Sequence, residues 1–355
     1  MTLYVDPCCT GAGLIGRQDT QGDEMTQLQP AEITGIVDET ARLTTEHYVF
    51  PEIGARLAGL LADRLAAGHY HRAEDAETLG RLVTEDLQSL NGDRHLRLKF
   101  HPYEVPAEAD GAVREEMTRA AAGSLGGVPL IERLAGGVVR IELAPILFPL
   151  DMTADTLTAA LNLVARAEAL VLDLRACVGG HPDTVSFISS YLFDEPTHLN
   201  TLRDREDDGG QQFWSLAHVP GARFGGRKPL AVLISRATFS GGEELAYDLQ
   251  QLGRGLVYGE RSGGGANPRQ GFTLHPHLEA TIPVARSVNP VSSTNWEGVG
   301  ITPDVETDPA LALDAAHRAL LAEIVRTGGS ALSVQEAREA LDGAALTAAD
   351  PAVRL

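Results

Sequence analysis

The chain has 355 residues, enough for roughly two domains of common size, and its 49 acidic against 29 basic side chains leave a net charge of −20. Such a surface repels phosphate backbones and anionic lipid, which argues against nucleic-acid binding and polybasic membrane attachment. Hydrophobic residues make up 43% and charged residues 22%, an ordinary globular balance that excludes a wholly disordered or fibrous chain.

Residues 1–24 are rich in Gly, Asp and Gln and lack the basic and apolar regions of a signal peptide, so a disordered leader is expected there. From Ile33 to Leu90 apolar residues recur at helical spacing, in the groups Ile33/Ile36/Val37, Leu57/Leu60/Leu61 and Leu79/Leu82/Val83. This predicts a small three-helix module over 25–100, broken at Phe50-Pro51 and over 68–75 and closing at the turn Asn91-Gly92-Asp93. Residues 101–126 read as a linker with one short helix. From 127 to 330 short apolar runs alternate with amphipathic segments, as in an α/β core. Strands are expected over 138–143, 169–174, 230–235, 255–259 and 278–284, and helices over 153–168, 183–193, 241–252 and 309–325. The polar stretch 204–228, with Trp214 and Phe224, reads as a functional loop or lid. The tail 331–355 carries one short helix with a capping box at Ser333 and Glu336.

The cysteines Cys8, Cys9 and Cys177 form neither a disulfide framework nor a zinc-ligand spacing. No segment approaches the roughly 18 apolar residues of a spanning helix. A cytoplasmic protein without cofactor or metal is therefore expected.

Four segments can carry chemistry. The apolar run 230–235 leads through a short turn into a helix beginning Ser240-Gly241-Gly242-Glu243. A serine at a helix N-terminus can attack a carbonyl while the following free amides hold the oxyanion. Ser240-x-x-Glu243 is equally a plain capping box, the favoured reading of that segment alone. The run 169–174 ends at Asp173 and Arg175 and then Gly179-Gly180, a turn whose amides can approach a ligand closely. An ordinary strand-to-helix turn with Asp173 and Arg175 paired explains it as well, and Cys177 reads as a small packed residue. His95 can act as a general base and Glu297 can orient it, although most of the eleven histidines must be structural.

Together these segments resemble the tail-specific, or C-terminal processing, serine proteases, in the branch of the tricorn protease core and the interphotoreceptor retinoid-binding protein modules. The family's Asp-x-Arg-x-Asn-x-Gly-Gly turn matches Asp173 to Gly180, with Ala176 and Cys177 where polar residues are common. Its Ser-x-x-Glu helix start matches Ser240 and Glu243, its Gly-Glu turn Gly259-Glu260, and its Gly-Ile-x-Pro-Asp segment Gly300 to Asp304. The resemblance implies a crotonase-like α/β core, a mixed sheet with flanking helices, behind the three-helix module and without a PDZ insertion. In members with a Ser-Lys dyad a lysine follows the nucleophile; the matching position here is Gly265, and the only lysines are Lys99 and Lys228. The tricorn-like branch instead implies His95 as base and Glu297 as its partner, with Arg94 where a serine is usual. A direct His95–Glu297 contact and a bridge from Arg94 to a carboxylate are the two arrangements left open.

The expected function is a serine peptidase acting on a peptide or protein, with Ser240 as nucleophile, His95 as base, Glu297 assisting, Gly241 and Gly179 or Gly180 binding the oxyanion, and Arg94 and Glu243 in support. The alternatives are an acyl-transfer enzyme using the same serine and a non-proteolytic module binding a hydrophobic small molecule.

Overall fold

The computed structural model describes residues 27–105, 109–206 and 209–349. The expected leader, residues 1–24, lies outside them, as do Cys8 and Cys9. The helices α1 (Pro30–His47), α2 (Pro51–Ala66) and α3 (Ala76–Leu87) come first. Pro30 and Pro51 occupy helix starts, where a missing amide costs nothing. Asp75 caps α3 by accepting from the Thr78 amide at 2.7 Å. The chain then runs through β1 (Arg97–Phe100), α4 (Ala109–Gly123), β2 (Leu130–Arg133), β3 (Val138–Glu142), α5 (Leu150–Val164) and β4 (Ala169–Asp173). It continues with α6 (Pro182–Ser190), β5 (His198–Asp204), β6 (Gln211–Trp214), β7 (Leu230–Ile234), α7 (Gly241–Gln251) and β8 (Leu256–Gly259). The last elements are β9 (Arg269–His275), β10 (Leu278–Pro283), β11 (Ala285–Val288), β12 (Val305–Glu306), α8 (Ala312–Thr327) and α9 (Ala331–Ala349).

The central sheet has the order β12-β8-β7-β4-β3-β2, parallel except for β2. Its middle strands are buried on both faces, which is why they read as unbroken apolar runs. In β4, Leu170 and Leu172 face the core shared with α5, α6 and α7, while Ala169 and Val171 face that of α8. This three-layer arrangement places the ends of β4 and β7 side by side, the usual location of sites in parallel sheets.

The N-terminal helices do not close on themselves. Their stripes, including Ile33, Leu57, Leu61 and Leu79, share one core with Leu278, Ala280 and Ile282 of β10. Strand β1 pairs antiparallel with β10, Arg97 opposite Thr281, so it carries the segment just before it onto the later half of the chain.

Two local expectations are corrected. The stretch 204–228 is not a bare loop: β6 within it pairs antiparallel with β5, because Phe213 has an apolar cluster with Leu202 and Ala285 to join. Ser333 and Glu336 form no capping box, since α9 begins upstream. The Ser333 amide donates to Ser330 Oγ at 3.1 Å, and Glu336 instead accepts from Arg133 and the Gly136 amide.

Candidate active site

Ser240 is at the start of α7, as the sequence predicts, but its backbone is not that of a plain cap. An ordinary N-cap residue is extended, whereas Ser240 has φ 49° and ψ −122°. A non-glycine residue holds such a conformation only where its surroundings over-determine it, and such strain concentrates at functional sites. Here the restraint is visible. The Ser240 amide donates to Glu243 at 2.9 Å, the Phe239 amide to the Cys177 carbonyl at 3.0 Å, and the Gly263 amide to the Thr238 carbonyl at 2.9 Å.

Glu243 does more than cap. Its fully buried carboxylate also accepts from Ser262 Oγ at 2.5 Å and from the amides of Gly264 at 2.7 Å and Gly265 at 2.9 Å. Burial pushes its carboxyl up to about 7, with these donors opposing. It ties the Ser240 turn to the loop 262–265.

The Gly179-Gly180 turn lies against the same residue. A side-chain carbon at Gly179 would stand 3.4 Å from Ser240 Cβ. One at Gly180 would fall 2.3 Å from Leu147 Cβ, so only glycine fits, at φ 143°. Gly241 rests on Gly180, where an added carbon would meet its carbonyl at 2.6 Å. The amides of Gly179, Gly180 and Gly241 make no hydrogen bond among the described residues, although the turn is fixed on either side by Leu147 N to Gly179 O at 2.9 Å and His181 N to Leu147 O at 2.8 Å. Asp173 and Arg175 are paired structurally: Arg175 donates from Nε at 2.9 Å and Arg140 from Nε at 3.0 Å. Burial opposes ionisation of Asp173, but the Arg175 and Arg140 guanidiniums hold its carboxyl below its ordinary value.

His95 reaches the pocket from the segment before β1. Its carbonyl accepts from Thr281 Oγ1 at 2.6 Å and its amide donates to Asp93 Oδ1 at 3.1 Å, while its ring tilts over Phe239 at 4.9 Å between centroids. Ser240, His95, Gly179, Gly180 and Gly241 all line one cavity of about 60 Å³. His95 Nδ1 is buried without a hydrogen-bond partner and stands 3.9 Å from Glu297 Oε2, beyond hydrogen-bond range. Burial pulls the imidazole below its usual value; Glu297 opposes this and Arg269 and Arg97 add to it.

Glu297 is held by three amides, Arg94 at 3.0 Å, Ala266 at 2.5 Å and Asn267 at 3.0 Å. Burial raises its carboxyl, but His95 and these donors outweigh burial and keep it below the usual carboxylate value. Of the two arrangements left open, the direct one is the nearer: His95 and Glu297 face each other at 3.9 Å, while the Arg94 side chain is exposed and Arg94 meets Glu297 through its backbone amide.

Three residues here had been read only as turn or segment members. Asp93 accepts from Tyr48 Oη at 2.9 Å, Asn267 Nδ2 at 2.9 Å and the His95 amide, and burial with the Glu297 charge pushes its carboxyl up to about 7. Trp296 is buried and donates from Nε1 to the Gly265 carbonyl at 2.8 Å. Glu244 lines the cavity one helical turn below Ser240. Asp93, His95 and Glu297 bring three potential metal-ligating atoms within 4.8 Å of one another. The carboxylates are already engaged by amide and side-chain donors.

The lysine position of the dyad-type sites is filled. A side-chain carbon on Gly265 would lie 2.2 Å from Phe239 Cζ and 2.7 Å from His95 Cε1. Lys228 is engaged elsewhere, donating to the carbonyls of Ala165 at 2.6 Å and Ala167 at 3.0 Å, and no lysine lines the cavity among the described residues. The remaining landmarks are structural: Glu260 accepts from the Arg236 amide at 3.2 Å, and Asp304 from the Val257 amide at 2.8 Å.

The profile of peptidase family S41 matches residues 137–307, and that of the N-terminal domain of peptidase S41 in eukaryotic IRBP matches 24–122. A C-terminal processing peptidase, chloroplastic, of Tetradesmus obliquus is 31% identical over 147 residues, 39% of this chain and 29% of that protein. The chain thus spans between a quarter and a third of the length of the curated relatives it matches. Among solved structures, mature CPAF superposes with a TM-score of 0.56 at 12% identity, over 85% of this chain and 99% of that one. The tricorn protease gives 0.51 at 12% identity, over 84% of this chain and 37% of that one. These likenesses show the same fold. Among the described residues no helix is long and apolar enough to cross a membrane.

Proposed function

We propose that this chain, which belongs to peptidase family S41 with the N-terminal domain of its IRBP members, is a serine peptidase that cleaves peptide or protein substrates with a histidine base. The observation that carries this reading is the convergence of strained Ser240, buried His95 and three uncommitted glycine amides on one cavity. Ser240 Oγ attacks the scissile carbonyl while His95 takes its proton. The amides of Gly241 and of Gly179 or Gly180 receive the developing oxyanion, in a site where water competes little. Positive charge on His95 draws Glu297 across the 3.9 Å gap, then the imidazolium protonates the leaving amine. Water activated by the same imidazole releases the acyl group. An amine in place of that water would make the same intermediate an acyl-transfer reaction, with no change in the residues used.

The occupied space beside Gly265 supports His95 over a lysine base.

The test is labelling by a small fluorophosphonate, with the adduct mapped by mass spectrometry. The adduct is expected on Ser240, absent in Ser240→Ala and slowed by on the order of 1,000-fold in His95→Ala, while Lys99→Ala and Lys228→Ala keep the wild-type rate. Undiminished labelling of Ser240→Ala overturns the assignment.

A further inference from the structure

Glu244 has no part in the steps above, yet it lines the cavity that holds Ser240. As residue i+4 of the nucleophile on α7 it projects from the same helix face, one turn below. Its side chain is buried, and Oε1 accepts from Asn200 Nδ2 at 3.0 Å, Asn200 in turn donating to Ser287 Oγ at 3.3 Å. Another turn on, Asp248 is completely buried; Oδ1 accepts from Asn289 Nδ2 at 3.0 Å and Oδ2 has no partner.

Neither acid has an ion-pair partner among the described residues. Asp173, equally buried in the neighbouring strand, is met by both Arg140 and Arg175. Buried carboxylates are otherwise paired or protonated. Burial pushes the Glu244 carboxyl up to about 7, with Asp183 adding to the rise, and burial and Glu244 push Asp248 upward too.

The cavity's two arginines do not supply the missing charge. Arg97 and Arg269 come from the β1 and β9 sheet and act on His95, and Arg269 is paired with Glu279 at 3.3 Å. Glu244 is the one carboxylate on the cavity lining among the described residues, and neither arginine forms an ion pair with it.

We propose that Glu244 is a specificity-determining residue that receives a cationic side chain, lysine or arginine, on the acyl side of the scissile bond. The proposal rests on the peptidase reading. An incoming ammonium or guanidinium supplies the counter-charge that the buried acid lacks, and the net charge of −20 draws cationic segments toward the enzyme.

Peptidyl diphenyl phosphonates that differ only in this side chain provide the test: arginine, its neutral isostere citrulline, and leucine. Wild-type Ser240 is expected to react on the order of 100-fold faster with the arginine probe than with the citrulline probe, and Glu244→Gln is expected to bring the two rates together. Equal rates in the wild type, faster reaction with leucine, or an arginine preference that survives Glu244→Gln overturns the proposal. The arginine-to-citrulline ratio needs only the wild-type protein, so equal rates overturn the proposal even where the variant fails to fold. A wild-type protein whose Ser240 reacts with neither these probes nor a fluorophosphonate refutes the peptidase reading, and this inference falls with it.

Discussion

Gly265 offers the most direct test of the choice of base. Replacing it by alanine adds one carbon 2.2 Å from Phe239 Cζ, 2.5 Å from Phe239 Cε2 and 2.7 Å from His95 Cε1. Carbon atoms rest at about 3.5 Å or more, so the Phe239 ring, the imidazole or the loop must retreat by roughly 1 Å. The loop has little freedom, because Glu243 holds the Gly264 and Gly265 amides and Trp296 holds the Gly265 carbonyl. The rings must then yield. Overpacking of this kind costs about 1–3 kcal/mol of stability, a fall in Tm of a few degrees. A misplacement of about 1 Å at the base costs on the order of 100-fold in rate. Fluorophosphonate labelling of Gly265→Ala should therefore slow by about that factor while the protein stays folded by thermal melt. Gly265→Lys should be slower still. Wild-type labelling by Gly265→Ala would refute the steric argument, and labelling by Gly265→Lys combined with His95→Ala would show that a lysine at 265 can serve Ser240.

Glu297→Gln removes the charge that raises the His95 pKa. Since the base works as the neutral imidazole, the acid limb of kcat/KM, already expected below the ordinary value near 6.5, should move to lower pH. The rate at its plateau should fall because the imidazolium loses its partner; an unmoved limb would detach Glu297 from His95. Asp93 and Glu243 have folded-state values raised to about 7 by burial, so each favours folding when protonated, and that contribution is lost as pH rises from about 4 through 7. Tm should accordingly fall between pH 5 and pH 8, and Glu243→Gln should flatten the slope, whereas a rise would contradict the burial argument. Ser262→Ala removes the 2.5 Å donor to buried Glu243 and should cost about 1–3 kcal/mol in denaturant unfolding. A cost near zero would mean that this bond does not help to brace the nucleophile turn.

Much of the frame is legible locally. The strands β4 and β7 are unbroken apolar runs because both sheet faces are covered, and the helices over 30–87 announce themselves by period and by proline starts. Ser240 could be placed at a helix start for the same reason, as could the glycine pair, since turns and caps are chosen by a few adjacent residues. Strands such as β1, β6 and β9 were not legible. They are short, partly exposed and defined by a partner far along the chain, so no window of sequence carries their pattern.

The site divides along the same line. By itself the sequence determined the chemical inventory: a serine at a helix N-terminus, glycines able to present amides, one histidine at the close of the helical module and no lysine after the nucleophile. Tertiary structure alone decided how these are used. The register of β1 on β10 carries His95 to the cavity that Ser240 lines and brings the Arg94 amide to Glu297 across 203 residues. It also makes Asp93, Trp296 and Glu244 part of the site, and gives the capping serine Ser240 a strained backbone braced by Glu243. Local sequence encodes burial and backbone preference, which act over a few residues. The meeting of His95, Glu297 and the Gly179-Gly180 turn around Ser240 depends on long-range packing, and only the folded chain contains it.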